Sequence, residues 1–80
     1  MNINDVVARK ALKLMEENNI SQYKLEKLTN ITHGAMDRIL SGKNKTVTLT
    51  TVYKFAKAFQ MTILDFLNDE YFLSDKIELD

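Results

Sequence analysis

The sequence predicts an all-α domain of five helices, and three observations favour this class. Apolar residues recur at intervals of three and four along most of the chain, which is the spacing of one buried helix face. A Ser, Thr or Asn precedes each of five such stretches, where its side chain can accept a hydrogen bond from a backbone N–H that a helix start leaves unpaired. Proline is absent and glycine occurs twice, which together with the periodicity favours a compact helical chain.

The composition limits the class of protein. Eighty residues suit one domain, near the lower size limit for a core that holds itself together. Without cysteine, neither a disulfide nor a thiolate metal site can supplement that core. No apolar run approaches the roughly 18 residues of a membrane span, and the first ten residues lack the basic-then-apolar order of a secretion signal. We therefore expect a cytoplasmic protein that does not contact membrane.

The net charge of zero hides an uneven distribution. Residues 1–68 hold ten Lys or Arg against six Asp or Glu, a net charge of +4, whereas residues 69–80 hold five acids against one lysine, a net charge of −4. We predict a domain over residues 1–68 and an acidic, apolar tail over residues 69–80. A modestly basic body is compatible with DNA binding if a few placed groups make the phosphate contacts.

The first predicted helix extends from Asn4 to Asn18, with Asn4 as its N-cap and Asp5 favourably placed in the first turn. The Asn18-Asn19 pair should end it. Its apolar stripe is Val7, Ala11, Leu14 and Met15. Its outward positions are Arg9, Lys10, Lys13, Glu16 and Glu17.

Residues 21–42 predict two short helices separated by a tight turn. Ser21 caps the first of them, in which Leu25 and Leu28 share one face. Asn30 stands at the turn, because asparagine enters the left-handed backbone region more readily than most residues. Thr32 caps the second helix. The buried stripe of that helix is Met36, Ile39 and Leu40, and Gly42 follows at its end.

The opposite face of the second helix carries no large apolar residue. It consists of His33, Gly34, Asp37, Arg38 and Ser41. For a lone helix this pattern is typical of an ordinary solvated face. In a helix-turn-helix arrangement, a helix with one buried side and one bare polar side can lie in the DNA major groove.

Two more helices follow a polar loop over residues 43–47, which leaves from the end of the polar helix face. Thr48 caps the fourth helix. Its inward residues are Leu49, Val52, Phe55, Ala56 and Phe59. Thr62 and Asp65 form a capping box for the fifth helix, which continues through Phe66 and Leu67. The tail after residue 68 is too apolar to remain in water, yet it fits no clear helix period.

Spaced features over residues 14–67 carry a family resemblance. They are Ile20-Ser21-Gln22, Leu25, Ile31-Thr32, Met36, Arg38-Ile39, Gly42, Leu49, Val52, Ala56 and Met61-Thr62. Together they resemble the Cro/C1-type (XRE, lambda-repressor-like) helix-turn-helix domain, a five-helix fold in which helices two and three form the DNA-binding unit. No single residue is diagnostic, and the joint spacing carries the resemblance.

The resemblance implies base contacts from His33, Gly34, Asp37 and Arg38. Arg38 is the first choice for direct readout, since a guanidinium can donate two hydrogen bonds to guanine O6 and N7. Asp37 either accepts from cytosine N4 or orients a neighbour. His33 either contacts a base edge or phosphate, or is an ordinary solvated histidine. A single histidine does not make a metal site, and we expect neither metal nor cofactor nor small-molecule ligand.

The resemblance also implies phosphate contacts. Gln22 matches the glutamine that binds phosphate at the start of the second helix, where the helix dipole favours an anion. Lys43, Asn44 and Lys45 match the backbone-contact loop of the family. Tyr23 either adds a phosphate contact through its hydroxyl or packs against the loop.

The sequence departs from the family pattern at three places. Glu26 stands where the family prefers a small alanine, and Asn30 replaces the usual turn glycine. Met15 and Leu40 stand where many members have a buried arginine–glutamate pair. Replacing both charged partners together is often neutral or stabilising, so this double change supports packing of helix one against the end of helix three.

These features predict a sequence-specific, double-stranded-DNA-binding transcriptional regulator, most simply a repressor. One recognition helix makes few base contacts, so we expect a homodimer. The predicted dimer surface comprises Phe66, Leu67, Tyr71 and Phe72. The alternative is an antitoxin-like interaction module whose tail binds a partner protein. An enzyme is not expected, because the sequence has no phosphate-binding glycine loop, metal-ligand cluster or cysteine–histidine pair.

Overall fold

The computed structural model describes residues 1–44, 46–73 and 77–78, and within these it contains six α-helices. They are α1 (Ile3–Asn18), α2 (Gln22–Thr29), α3 (His33–Leu40), α4 (Leu49–Ala58), α5 (Ile63–Leu67) and α6 (Glu70–Leu73). The all-α prediction is confirmed. The predicted roles of Lys45 and of residues 74–76 and 79–80 lie outside the described residues.

Four of the five predicted caps are confirmed. Ser21, Thr32, Thr48 and Thr62 each accept a hydrogen bond from the backbone N–H three residues later. Such a side chain satisfies one of the N–H groups that a helix start leaves unpaired. The stretch from Thr62 to Asp65 forms the predicted capping box.

The predicted cap of α1 was wrong by two residues. Asn2 is the N-cap: its Oδ1 accepts from the N–H of Asp5 at 2.9 Å, and Asp5 Oδ2 accepts from the N–H of Asn2 at 3.1 Å. Asn4 lies inside the helix and is only 3% exposed. Its Nδ2 donates to the carbonyl of Asn44 at 2.8 Å, so this buried amide ties α1 to the loop after α3.

The core gathers side chains from the first five helices. The largest fully buried members are Phe55, Phe66, Leu25, Met36 and Val7. The rings of Phe55 and Phe66 lie 6.3 Å apart in a tilted arrangement, which aromatic pairs favour over a face-to-face stack. Helix α1 packs against α3, with Met15 and Leu40 partly buried against the core. The apolar replacement of the family's ion pair therefore fits the packing.

Three predicted orientations were wrong. Leu28 is 47% exposed, because α2 instead buries Thr29, whose hydroxyl donates to the carbonyl of Leu25 at 2.7 Å. Leu49 is 69% exposed as the first residue of α4. Lys10 does not point outward, because its ammonium forms a 3.1 Å ion pair with Asp69 in which both side chains are largely buried.

Part of the tail packs against α1. Phe72 lies against the core, with its ring 6.2 Å from that of Phe66. The guanidinium of Arg9 lies 4.6 Å from the centre of the Tyr71 ring. Further on, the N–H of Glu78 donates to the carbonyl of Met1 at 2.9 Å. The contacts of Arg9 with Tyr71 and of Met1 with Glu78 join residues more than sixty positions apart, which is why local periodicity did not predict α6.

Asp69 anchors this arrangement. The N–H of Tyr71 donates to its carboxylate at 3.0 Å, and that bond, followed by the contact with Lys10, lowers the pKa of Asp69 below its usual value.

Among the residues that the structure describes, no helix has the length and apolar character needed to span a membrane.

Candidate nucleic-acid interface

Helix α3 divides into a buried side and a bare side. Met36 and Ile39 are buried in the core. The opposite side consists of His33, Gly34, Asp37, Arg38 and Ser41, all of them exposed. The predicted bare polar face of α3 is therefore present.

The turn before α3 is built from local backbone preferences. Asn30 adopts the left-handed conformation, with φ of 57° and ψ of 30°, and so reverses the chain without a glycine. Thr32 then accepts from the N–H of Ala35 at 3.4 Å. Packing of α2 on α3 completes the helix-turn-helix arrangement.

A polar network joins α2 to the start of α3. Gln22 Nε2 donates to Glu26 Oε2 at 3.0 Å and to Asp37 Oδ1 at 2.6 Å. Glu26 Oε2 also lies 2.8 Å from His33 Nδ1. On the other side of the ring, His33 Nε2 lies 3.4 Å from Asp37 Oδ2, within ion-pair distance. We call these four residues the acidic bracket.

The acidic bracket shifts two pKa values in opposite directions. The hydrogen bond with Glu26, and then the charge of Asp37, raise the pKa of His33 above 6.5. The hydrogen bonds from His33 and Gln22 lower the pKa of Glu26. The pKa of His33 is higher in the folded protein than in the unfolded chain. Its charged form therefore stabilises the fold below about pH 6.5, and this contribution is lost as the pH rises through the folded-state pKa.

Arg38 occupies the open space beside Gly34. A Cβ built on Gly34 would lie 3.8 Å from Arg38 Nη1 and would meet no other atom more closely. The position is therefore a bare stretch of backbone next to a guanidinium, and a duplex can approach it closely. The base contacts of both residues stay predictions.

The predicted phosphate-contact residues lie around α3. Gln22, Arg38 and Lys43 line one shallow depression together with Asp37, Leu40 and Ser41. Lys43 is exposed, and its N–H donates to the carbonyl of Arg38 at 3.0 Å. Tyr23 is 68% exposed, with Lys27 Nζ 5.2 Å from the centre of its ring. Asn44 is half-buried, and its carbonyl is held by Asn4.

Comparison with family models identifies the group to which this helix-turn-helix unit belongs. The model of the Cro/C1-type HTH DNA-binding domain matches residues 12–70. The chain belongs to this family. Neither the curated proteins nor the solved structures contain a match.

As a Cro/C1-type domain, the chain departs from the expected site most clearly at Glu26. The sequence marks this residue only as an exception to the family's small alanine. Its contact with His33 depends on how closely α2 approaches α3. The two residues are seven positions apart on different helices, so the sequence did not predict that they would meet. Gln22, the expected phosphate ligand, is engaged by the same carboxylate.

The four predicted dimer residues have different surroundings. Phe66 is 0% exposed and part of the core, so it is removed from the dimer surface. Phe72 is half-buried against Phe66. Leu67 is also half-buried, and Tyr71 is 37% exposed beneath Arg9. Among the described residues of α5 and α6, the most exposed large apolar side chains are Leu64 and Leu73, at 75% and 72%.

Proposed function

We propose that this Cro/C1-type domain is a sequence-specific transcriptional regulator that reads the major groove of DNA with α3. The observation that carries the proposal is the bare face of α3, where His33, Asp37 and Arg38 surround the unsubstituted backbone of Gly34. Groove-reading helices present such short sets of side chains to base edges. Repression by occupancy of an operator is the simplest role.

Gln22 and Lys43 flank this face and support it as phosphate contacts. Gln22 lies at the N-terminus of α2, where backbone N–H groups and the helix dipole favour an anion. Lys43 follows α3 after Ser41 and Gly42 and is exposed. Contacts of this kind fix the register of a protein on the duplex, and they carry no sequence information themselves.

A homodimer is part of the proposal. Each good bidentate base contact contributes about 1–3 kcal/mol of discrimination, so a single α3 provides limited specificity. Leu64, Leu67 and Leu73 line a shallow groove between α5 and α6. We propose this groove, in place of the buried Phe66, as the contact between two copies.

The tail supports self-association more than capture of a partner protein. Asp69 is paired with Lys10 of α1, and Phe72 packs against the core beside Phe66. A tail built into the domain in this way presents a fixed surface to a second copy. An antitoxin-like tail would have to leave these contacts to wrap a partner.

Selection of bound duplexes from a random pool, at a stated salt concentration, tests the proposal. We expect an enriched two-fold-related site whose half-sites lie about one helical turn apart. Enrichment of half-sites without fixed spacing would contradict the homodimer. Failure to enrich any sequence above the starting pool would contradict the function itself.

A further inference from the structure

Glu26 is the member of the acidic bracket whose purpose the proposed function leaves unexplained. Its side chain is 14% exposed and His33 is 73% exposed, so the carboxylate lies behind the ring and the imidazole lies toward solvent. A carboxylate behind a DNA-facing helix repels phosphate and so weakens DNA binding. A second role for Glu26 would offset this loss.

We infer that Glu26 is a positioning residue that fixes His33 Nδ1 as a hydrogen-bond donor, which leaves His33 Nε2 as the atom that meets a base edge. This inference rests on the proposed function of α3. The 2.8 Å contact between Glu26 Oε2 and His33 Nδ1 carries it. An ionised carboxylate only accepts, so the nitrogen in the short 2.8 Å contact with Glu26 holds the proton ahead of the nitrogen that lies 3.4 Å from Asp37.

Fixing one ring nitrogen decides what the other can do. With Nδ1 protonated, the neutral ring presents a lone pair at Nε2, and the charged ring presents an N–H there. In the major groove a lone pair suits the amino groups of adenine and cytosine, and an N–H suits N7 and O6 of guanine. His33 would therefore change its base preference with its charge.

The surroundings of the ring favour the charged form. Among the described residues, the charged groups within ion-pair distance of His33 are Glu26 from α2 and Asp37 from α3 itself. Helix α1, which packs on the other side of α3, supplies none. At 3.4 Å, Asp37 holds Nε2 only loosely, so an acceptor on a base can replace it.

The test compares the base preference of the wild type with that of three variants, Glu26→Gln, Glu17→Gln and His33→Asn, at two pH values. Selection from a random duplex pool at pH 6 and pH 8, at one salt concentration, would use the wild type, Glu26→Gln and Glu17→Gln. Glu17→Gln is the matched control, because it makes the same isosteric, charge-neutralising change on an exposed part of α1. His33→Asn gives the profile of a side chain that does not titrate.

For the wild type, we expect the guanine preference at one base pair of each half-site to rise on the order of tenfold per unit of pH as the pH falls, the limit set by uptake of one proton. Glu17→Gln should show the same shift, and Glu26→Gln and His33→Asn should lose most of it. Circular dichroism establishes that each variant is folded.

Nitrogen NMR of the histidine ring provides a second measurement, and His33 is the one histidine in the chain, so its signals need no further assignment. Wild-type Nδ1 should remain protonated at every pH, whereas Glu26→Gln should show a mixture of tautomers above the pKa. An unchanged ring tautomer and an unchanged base preference in Glu26→Gln would overturn the positioning role while DNA binding by α3 stands. If the wild type selects no sequence at all, the proposed function fails, and the inference fails with it.

Discussion

Arg38 is the residue that we propose as the main contact to a base edge. Its guanidinium is exposed beside the bare backbone of Gly34, and a guanidinium offers paired donors with the geometry of guanine O6 and N7. We expect Arg38→Ala to weaken operator binding by about 1–3 kcal/mol and to relax preference at one base pair. Binding isotherms on the selected operator and on its single-base variants would measure both effects.

Lys43→Ala is the matched control for Arg38→Ala. Lys43 is the next cation along the chain and is assigned to phosphate, so its loss should weaken binding to all sequences alike and reduce the salt slope by about one. An Arg38→Ala variant that behaved in the same uniform way would show that Arg38 contacts phosphate and not a base.

We predict that Gly34 lowers the stability of the domain and strengthens its binding to DNA. It lies in the first turn of α3; inside a helix, glycine costs about 0.5–1 kcal/mol relative to alanine, and this value is the upper limit here. A new methyl group would meet only Arg38, at an ordinary contact distance. Gly34→Ala should therefore raise the free energy of unfolding by up to this amount and weaken operator binding. Urea denaturation measures the change in the free energy of unfolding, and binding isotherms measure the change in affinity. Unchanged affinity would show that DNA does not approach this backbone.

At the scale of elements, helix boundaries were predictable wherever one residue type has a strong local preference. Asn19 and Asn30 both adopt the left-handed conformation at helix ends, with φ of 53° and 57°. The start of α1 was harder, because Asn2 and Asn4 are equally good caps by type. Only the pairing of Asn2 with Asp5, and the burial of Asn4 against the loop, distinguish them.

Gly42 connects the end of α3 to the start of α1. Its φ is 74°, and a Cβ there would lie 2.8 Å from Asp5 Oδ1, an atom of the α1 capping box. Gly42→Ala should lower the free energy of unfolding by about 1–2 kcal/mol through the left-handed backbone alone. Urea denaturation would measure this. Gly42→Asn should lose less, since asparagine tolerates that conformation; an alanine variant as stable as the wild type would contradict the assignment.

At the scale of the molecule, the sequence predicted which faces of the helices are buried, and it did not predict how the tail packs against the rest of the domain. Periodicity placed Val52 and Phe55 in the core correctly, whereas Phe66, predicted at the dimer surface, is buried. It could not pair Lys10 with Asp69, because that contact joins residues 59 positions apart. The acidic bracket was missed for a similar reason: it depends on how two helices meet, and each helix shows only an ordinary polar face by itself.

The proposed dimer makes a prediction about association. Leu64→Glu places a charge in the groove between α5 and α6, so the variant should sediment as a monomer at concentrations where the wild type is a dimer. Leu49→Glu is the control, because Leu49 is nearly as exposed, at 69% against 75%, and lies outside that groove. Equal loss of association in both variants would remove the groove from the interface, and a monomeric wild type would contradict the dimer.

The central claim is that the bare face of α3 contacts DNA. Titration of the selected operator duplex into the labelled protein at low ionic strength, followed through backbone amide signals, tests it most directly. The account predicts that the largest changes fall on His33, Gly34, Asp37 and Arg38 and on the flanking Gln22 and Lys43, with α5 little affected. Signals from α3 that stay unmoved while the duplex binds would contradict it.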